Sequence, residues 1–122
     1  PEGTRSRKES APFLQKGKTG IARLASSYPE LQIIPIAING SREWMTPKKH
    51  KIPRVWKKIT VTFGKPVTWN EWVVSEKGGN MNVNDIEDLH ATNKVERDKE
   101  IRKLQRKFTN QFMNSIKIIG AP

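Results

Sequence analysis

Six residues at the start of the chain carry the clearest chemistry. Pro1-Glu2-Gly3-Thr4-Arg5-Ser6 sets a glycine among a carboxylate, two hydroxyls and a guanidinium. Gly3 lets the backbone approach a ligand closely, Thr4 and Ser6 offer hydroxyl donors, and Arg5 offers a two-pronged fork that fits phosphate oxygens. By residue type this is a tight turn able to wrap an anion. The plainer reading is a charged, frayed chain end.

A second cluster runs from Arg42 to Lys58. Seven basic residues, among them Lys48, Lys49, Lys51 and Arg54, stand against one acid, Glu43, and Trp44 and Trp56 are interleaved with them. Pro47 and Pro53 prevent a continuous helix. Basic residues with tryptophan suit an anionic lipid interface, where indole straddles headgroups and acyl chains. The same composition suits single-stranded nucleic acid, with bases stacked on the indoles, or a solvated loop whose tryptophans fold back onto the domain.

Other chemistry falls away. There is no cysteine, so thiolate catalysis, disulfides and cysteine-ligated zinc are excluded. The two histidines, His50 and His90, have no aspartate five residues on, where Val55 and Val95 stand instead. Both read as solvated positions, and neither a metal nor a cofactor site is expected. Gly17-Lys18-Thr19 resembles the end of a P-loop, but Pro12 occupies the position where that motif needs its first glycine. Asn39-Gly40-Ser41 matches a glycosylation sequon, yet Asn-Gly after a strand is more simply a turn.

The elements that must hold these residues follow from periodicity. Ile21, Leu24, Ala25 and Tyr28 are spaced as one stripe of a short helix beginning at Gly20 and stopped before Pro29. Residues 32–38 are apolar on both faces and end at Asn39-Gly40, which reads as a buried strand of the parallel-sheet kind, with Pro35 as an objection. Ile59, Val61 and Phe63 alternate with threonines in a second strand. Ser75 to Asn82 has the composition of a flexible loop. Asn93 with Glu96 caps a long final helix, whose stripe is Ile101, Leu104, Phe108, Phe112 and Ile116; Asp98 and Arg102 form an i,i+4 pair on it.

The 122 residues allow one domain, and 23 Lys+Arg against 12 Asp+Glu give a net charge of +11. Residues 1–60 hold 13 basic and 4 acidic side chains, so the positive field belongs to the first half. An anionic partner follows. The longest apolar run, Ile33 to Ile38, is far short of the ~20 residues of a membrane-spanning helix. No signal-peptide pattern opens the chain, which starts on Pro1 rather than Met. A parallel strand needs a partner, and none precedes the first helix; the expected place for it is immediately before Pro1.

Four features in order resemble one family. Pro1-Glu2-Gly3-Thr4-Arg5-Ser6-Arg7, then Pro12-Phe13-x-x-Lys16-Gly17, the Ile21-Ala22 helix, and Ile34-Pro35-Ile36-Ala37-Ile38-Asn39-Gly40 look like the glycerolipid acyltransferases, above all the lysophosphatidate acyltransferases. Phe63-Gly64-Lys65-Pro66 fits the strand and turn that follow, so the likeness covers residues 1–67.

The resemblance implies an α/β fold. This chain would be the C-terminal part of a glycerol-3-phosphate acyltransferase-like αβ domain, with a mixed, largely parallel sheet and a long C-terminal amphipathic helix. Residues 1–74 would belong to that domain, 75–92 would be a flexible loop and 93–119 the helix. Glu2, Gly3, Thr4, Arg5 and Ser6 would hold the acceptor's phosphate, with Arg5 the main ligand, and Pro35 would shape the acceptor pocket. The activity implied is transfer of a fatty acyl group from acyl-CoA or acyl carrier protein to lysophosphatidate, giving phosphatidate in phospholipid biosynthesis. The enzyme would be membrane-associated on the cytoplasmic face, through Trp44, Lys48, Lys49, Lys51, Arg54 and Trp56, with no nucleic-acid partner.

One departure matters. The family's catalytic histidine and aspartate lie in an H-x-x-x-x-D block that this sequence lacks, so they are expected upstream of Pro1 and the chain alone is expected to be inactive. The alternative from another class is a small basic module that binds nucleic acid or a membrane surface without chemistry.

Overall fold

The computed structural model describes residues 14–44 and 54–121, together with 2, 10, 12 and 52. Helix α1 spans Gly20–Ser27, strand β1 Ile36–Asn39, a single helical turn α2 Ser41–Trp44, and strand β2 Thr60–Phe63. Helices α3 (Trp69–Val74), α4 (Val83–Ala91) and α5 (Lys94–Ile118) follow.

Helix α5 is the spine. Asn93 caps it by accepting a hydrogen bond from the Glu96 N–H, as the spacing predicts, and the apolar stripe buries Phe108, Phe112 and Ile116 while Leu104 packs at the margin. Against that stripe lie Trp69 and Trp72 of α3. Trp72 meets Phe108 edge-on at 5.1 Å between centroids, and Phe108 stacks on Phe112 at 6.1 Å. The Trp72 indole donates to Gln111 Oε1 at 2.8 Å, so its one polar atom is satisfied. The Asp98–Arg102 pair does not close among the described residues; Glu100 and Lys103 form the ion pair on this helix instead, at 3.2 Å.

Helix α1 has the expected extent but a different buried face. Ala22 and Ala25 are fully buried, whereas Leu24 and Tyr28 are exposed. Small side chains decide this, because they let α1 lie close on α5. Just before it, a side chain at Gly17 would come within 2.6 Å of Met113, and Ser26 and Gln105 are hydrogen-bonded across the interface.

Strands β1 and β2 pair antiparallel, with Ile36 opposite Phe63 and Ile38 opposite Val61. An outlying bridge joins Ile33 to Val67. This two-stranded sheet is the one present among the described residues. Burial alternates strictly along the first strand and its approach: Ile33, Pro35 and Ala37 are buried, while Ile34, Ile36 and Ile38 are exposed. The sequence is apolar on both faces, yet only one face is covered. Gly40 turns the chain at φ +83°, where a side chain would strike the Lys58 carbonyl.

The stretch expected as a loop, 75–92, holds a tight turn and then α4. Gly79 N–H bonds to the Trp72 carbonyl and Met81 N–H to the Val73 carbonyl, folding the turn back on α3. Asn82 and Asp85 cap α4 reciprocally, each side chain accepting the other's backbone N–H.

Candidate functional site

Of the proposed phosphate-binding residues, Glu2 is described and Gly3, Thr4, Arg5 and Ser6 lie outside the described residues. Glu2 Oε2 accepts the backbone N–H of Gln15 at 2.9 Å in a half-buried setting. That bond ties the start of the chain to the segment entering α1. The segment is itself fixed, since Leu14 packs on the core and Arg106 of α5 donates to the Gly17 carbonyl at 2.9 Å. Glu2 therefore acts as a clamp on the backbone.

Pro35 sits on the buried side of the sheet. Its carbonyl accepts the Gly64 N–H at 2.7 Å, and its ring lies where a side chain at Gly64 would be, 2.7 Å from that position. The proline thus fixes the start of β1 against the end of β2.

The basic loop divides its two tryptophans. Trp44 is half-buried, its indole N–H donating to the Lys57 carbonyl, while its own carbonyl accepts the Arg54 N–H. Trp56 is 74% exposed, with the Arg54 guanidinium over its ring at 5.9 Å. Ile52 and Val55 beside it are also exposed. Trp44 is thus a structural anchor of the loop and Trp56 its free aromatic. Lys48, Lys49 and Lys51 lie outside the described residues, as does His50. His90 is exposed in the last turn of α4, and among the described residues no group of histidines and carboxylates is placed to hold a metal. No described helix is long and apolar enough to cross a membrane.

Two surfaces escaped the sequence reading. The outer face of the sheet is one. Ile36, Ile38, Val61 and Phe63 stand side by side there, all exposed, with Ile34 and Ile59 continuing the two rows. Together they form a contiguous apolar patch on the outer face of the sheet. Among the described residues the outer edge of β1 is unpaired as well. Because Pro35 bonds to Gly64 across the pair, Ala37 and Asn39 also point their backbone groups at β2, leaving those of Ile36 and Ile38 toward the far side. Strict alternation of burial, not visible in an all-apolar run, was the missing signal. The other surface is the cationic side of α5, whose i, i+3, i+4 spacing was there to be read.

No family model, curated protein or solved structure matches this chain.

Proposed function

We propose that this chain is the acceptor-binding part of a lysophosphatidate acyltransferase. The observation that carries the reading is the ordered set Pro1-Glu2-Gly3-Thr4-Arg5-Ser6, α1 and Ile34-Pro35-Ile36-Ala37-Ile38-Asn39-Gly40. Two structural features support it. Glu2 is clamped to Gln15, so the anion turn springs from a fixed point. The sheet has an open edge and a bare apolar face, which is what an α/β domain shows when a strand and a covering layer come from elsewhere.

In the reaction, the acceptor hydroxyl attacks the carbonyl carbon of the acyl thioester. A C–O ester bond forms, the C–S bond breaks, and the hydroxyl proton passes through a general base to the departing thiolate. That base belongs to the H-x-x-x-x-D block, outside these residues. The contribution of this chain is binding: Arg5 grips two phosphate oxygens, Gly3 and Thr4 close the turn, and Ser6 stands at its rim. Trp56 and its basic neighbours rest on the anionic membrane that supplies the acceptor.

Steady-state kinetics of Arg5→Lys and Arg5→Ala, in the protein that carries the H-x-x-x-x-D block, test the assignment. An ammonium is a point charge and cannot reproduce the fork. A lost charge-assisted pair lowers kcat/KM about ten- to a hundredfold, with part of the loss in the acceptor's KM and little in the donor's. Wild-type acceptor kinetics in both variants would remove Arg5 from the site.

A further inference from the structure

The side of α5 turned away from the core carries five cations, with Glu96 and Glu100 beside them in the early turns of the helix. Lys99, Arg102, Lys103, Arg106 and Lys107 line one shallow groove with Asn110. Their spacing of three and four residues puts them on one face, opposite the buried Phe108 and Phe112. Five positive charges are thus set along about 12 Å of helix axis. Among the described residues only Lys103 has a carboxylate partner, Glu100. Arg106 is engaged by a neutral group, the Gly17 carbonyl. Lys16 and Lys18, both exposed, flank that glycine and widen the positive field beyond the helix.

We propose that this face of α5 is an electrostatic docking surface for an anionic phospholipid bilayer, separate from the 52–58 loop. A polynucleotide or a protein fits it less well. No aromatic ring lies in the groove for bases to stack on, and no apolar anchor is available for a protein hot spot. A cluster of four to eight Lys and Arg on one side of an amphipathic helix is what peripheral binding to acidic lipid needs. Here the apolar face of the helix is locked in the core, so α5 contributes charge and no insertion. The site is also well placed. Arg106 holds Gly17, two residues from the Gln15 amide that clamps Glu2, so a bilayer on α5 lies near the root of the proposed phosphate turn.

The choice of a bilayer rests in part on the lipid chemistry proposed above. The two readings fail separately, because one is read by vesicle binding and the other by turnover. The test is co-sedimentation of the 122-residue chain with phosphatidylglycerol–phosphatidylcholine vesicles and with phosphatidylcholine alone, across a salt series. The variant is Lys99→Gln, Arg102→Gln and Lys107→Gln together, which spares Arg106 and keeps good helix formers on an exposed face. Each charge removed costs about fivefold in partitioning, so the triple change lowers it about a hundredfold at low salt. Replacing Arg102 by Lys, with Lys99 and Lys107 by Arg, keeps binding. Trp56→Ala leaves the salt-dependent part in place. Unchanged partitioning in the Gln variant, with its helical content intact, overturns the proposal. So does tighter binding of duplex DNA than of acidic vesicles at the same salt, lost in the same variant.

Discussion

The bare sheet face gives the sharpest test of whether this chain belongs to a larger α/β domain. Ile36 is 42% exposed, Ile38 51%, Val61 49% and Phe63 67%. Full burial of such a side chain stabilises by about 1.5–3 kcal/mol, so a face with about half its area open leaves roughly 1 kcal/mol per residue unrealised. Over four residues that is about 4 kcal/mol, a large share of the 5–15 kcal/mol typical of a domain. The perturbation is Ile36→Thr, Val61→Thr and Phe63→Thr together, which keeps strand propensity and removes apolar area. In the 122-residue chain the three changes together should cost about 1–2 kcal/mol, because only the covered part of each side chain loses packing. In the protein carrying the H-x-x-x-x-D block, the same three changes should cost about 3 kcal/mol, and more where cavities remain. Urea unfolding followed by tryptophan fluorescence measures both, with Trp69 and Trp72 buried as reporters. Equal, small losses in both proteins would mean that nothing covers the face. A loss of about 3 kcal/mol in the short chain would mean the face is already packed, and the reasoning would fail.

Two further outcomes follow from the core and the turn. Phe108→Ala removes the ring that touches Trp69, Trp72 and Phe112; it should cost about 3–5 kcal/mol and move the urea midpoint accordingly. Gly40→Ala puts a methyl 2.1 Å from the Lys58 carbonyl at a φ of +83°; a thermal melt should show a loss well above the roughly 1 kcal/mol of an ordinary left-handed penalty, and a melt matching wild type would show that the β1–α2 turn is not as tight as described.

The parts of the fold that could be read in the sequence are those where one period dominates. Helix α5 combines a cap at Asn93 with a long stripe of large apolar residues, and β2 alternates Val61 and Phe63 with threonines. Helix α1 was legible in extent and not in orientation, since Ala22 and Ala25 carry too little hydrophobicity to outweigh Leu24 and Tyr28. Their value lies in the close approach of α5, a tertiary fact. Helix α3 has six residues, too few to establish a period, and α4 is polar, with its Asn82–Asp85 cap built from residues that equally suit a turn. The antiparallel pairing was hidden for a different reason. An apolar run says that both faces of a strand can be buried, and it does not say which faces this stretch of chain covers or which way the neighbour runs. At the candidate site, residues 1–6 were legible as residue types alone, and the 42–58 loop as charge with aromatics. That Trp44 anchors the loop while Trp56 stays free depends on one indole reaching the Lys57 carbonyl, a contact no composition encodes.

The carboxylate in the proposed phosphate turn is the feature most at odds with anion binding, and the hydrogen bond it makes is what reconciles the two. A free carboxylate three residues from Arg5 would compete with phosphate for the guanidinium, and at close range it would also repel the ligand. Glu2 instead spends Oε2 on the Gln15 amide. A charged acceptor makes that bond roughly twice as strong as a neutral one would. The segment that receives it is not free to drift: Leu14 is packed, Gly17 lies under Met113, and Arg106 holds the Gly17 carbonyl. The carboxylate is therefore used to fasten the chain at Glu2 to the segment that enters α1.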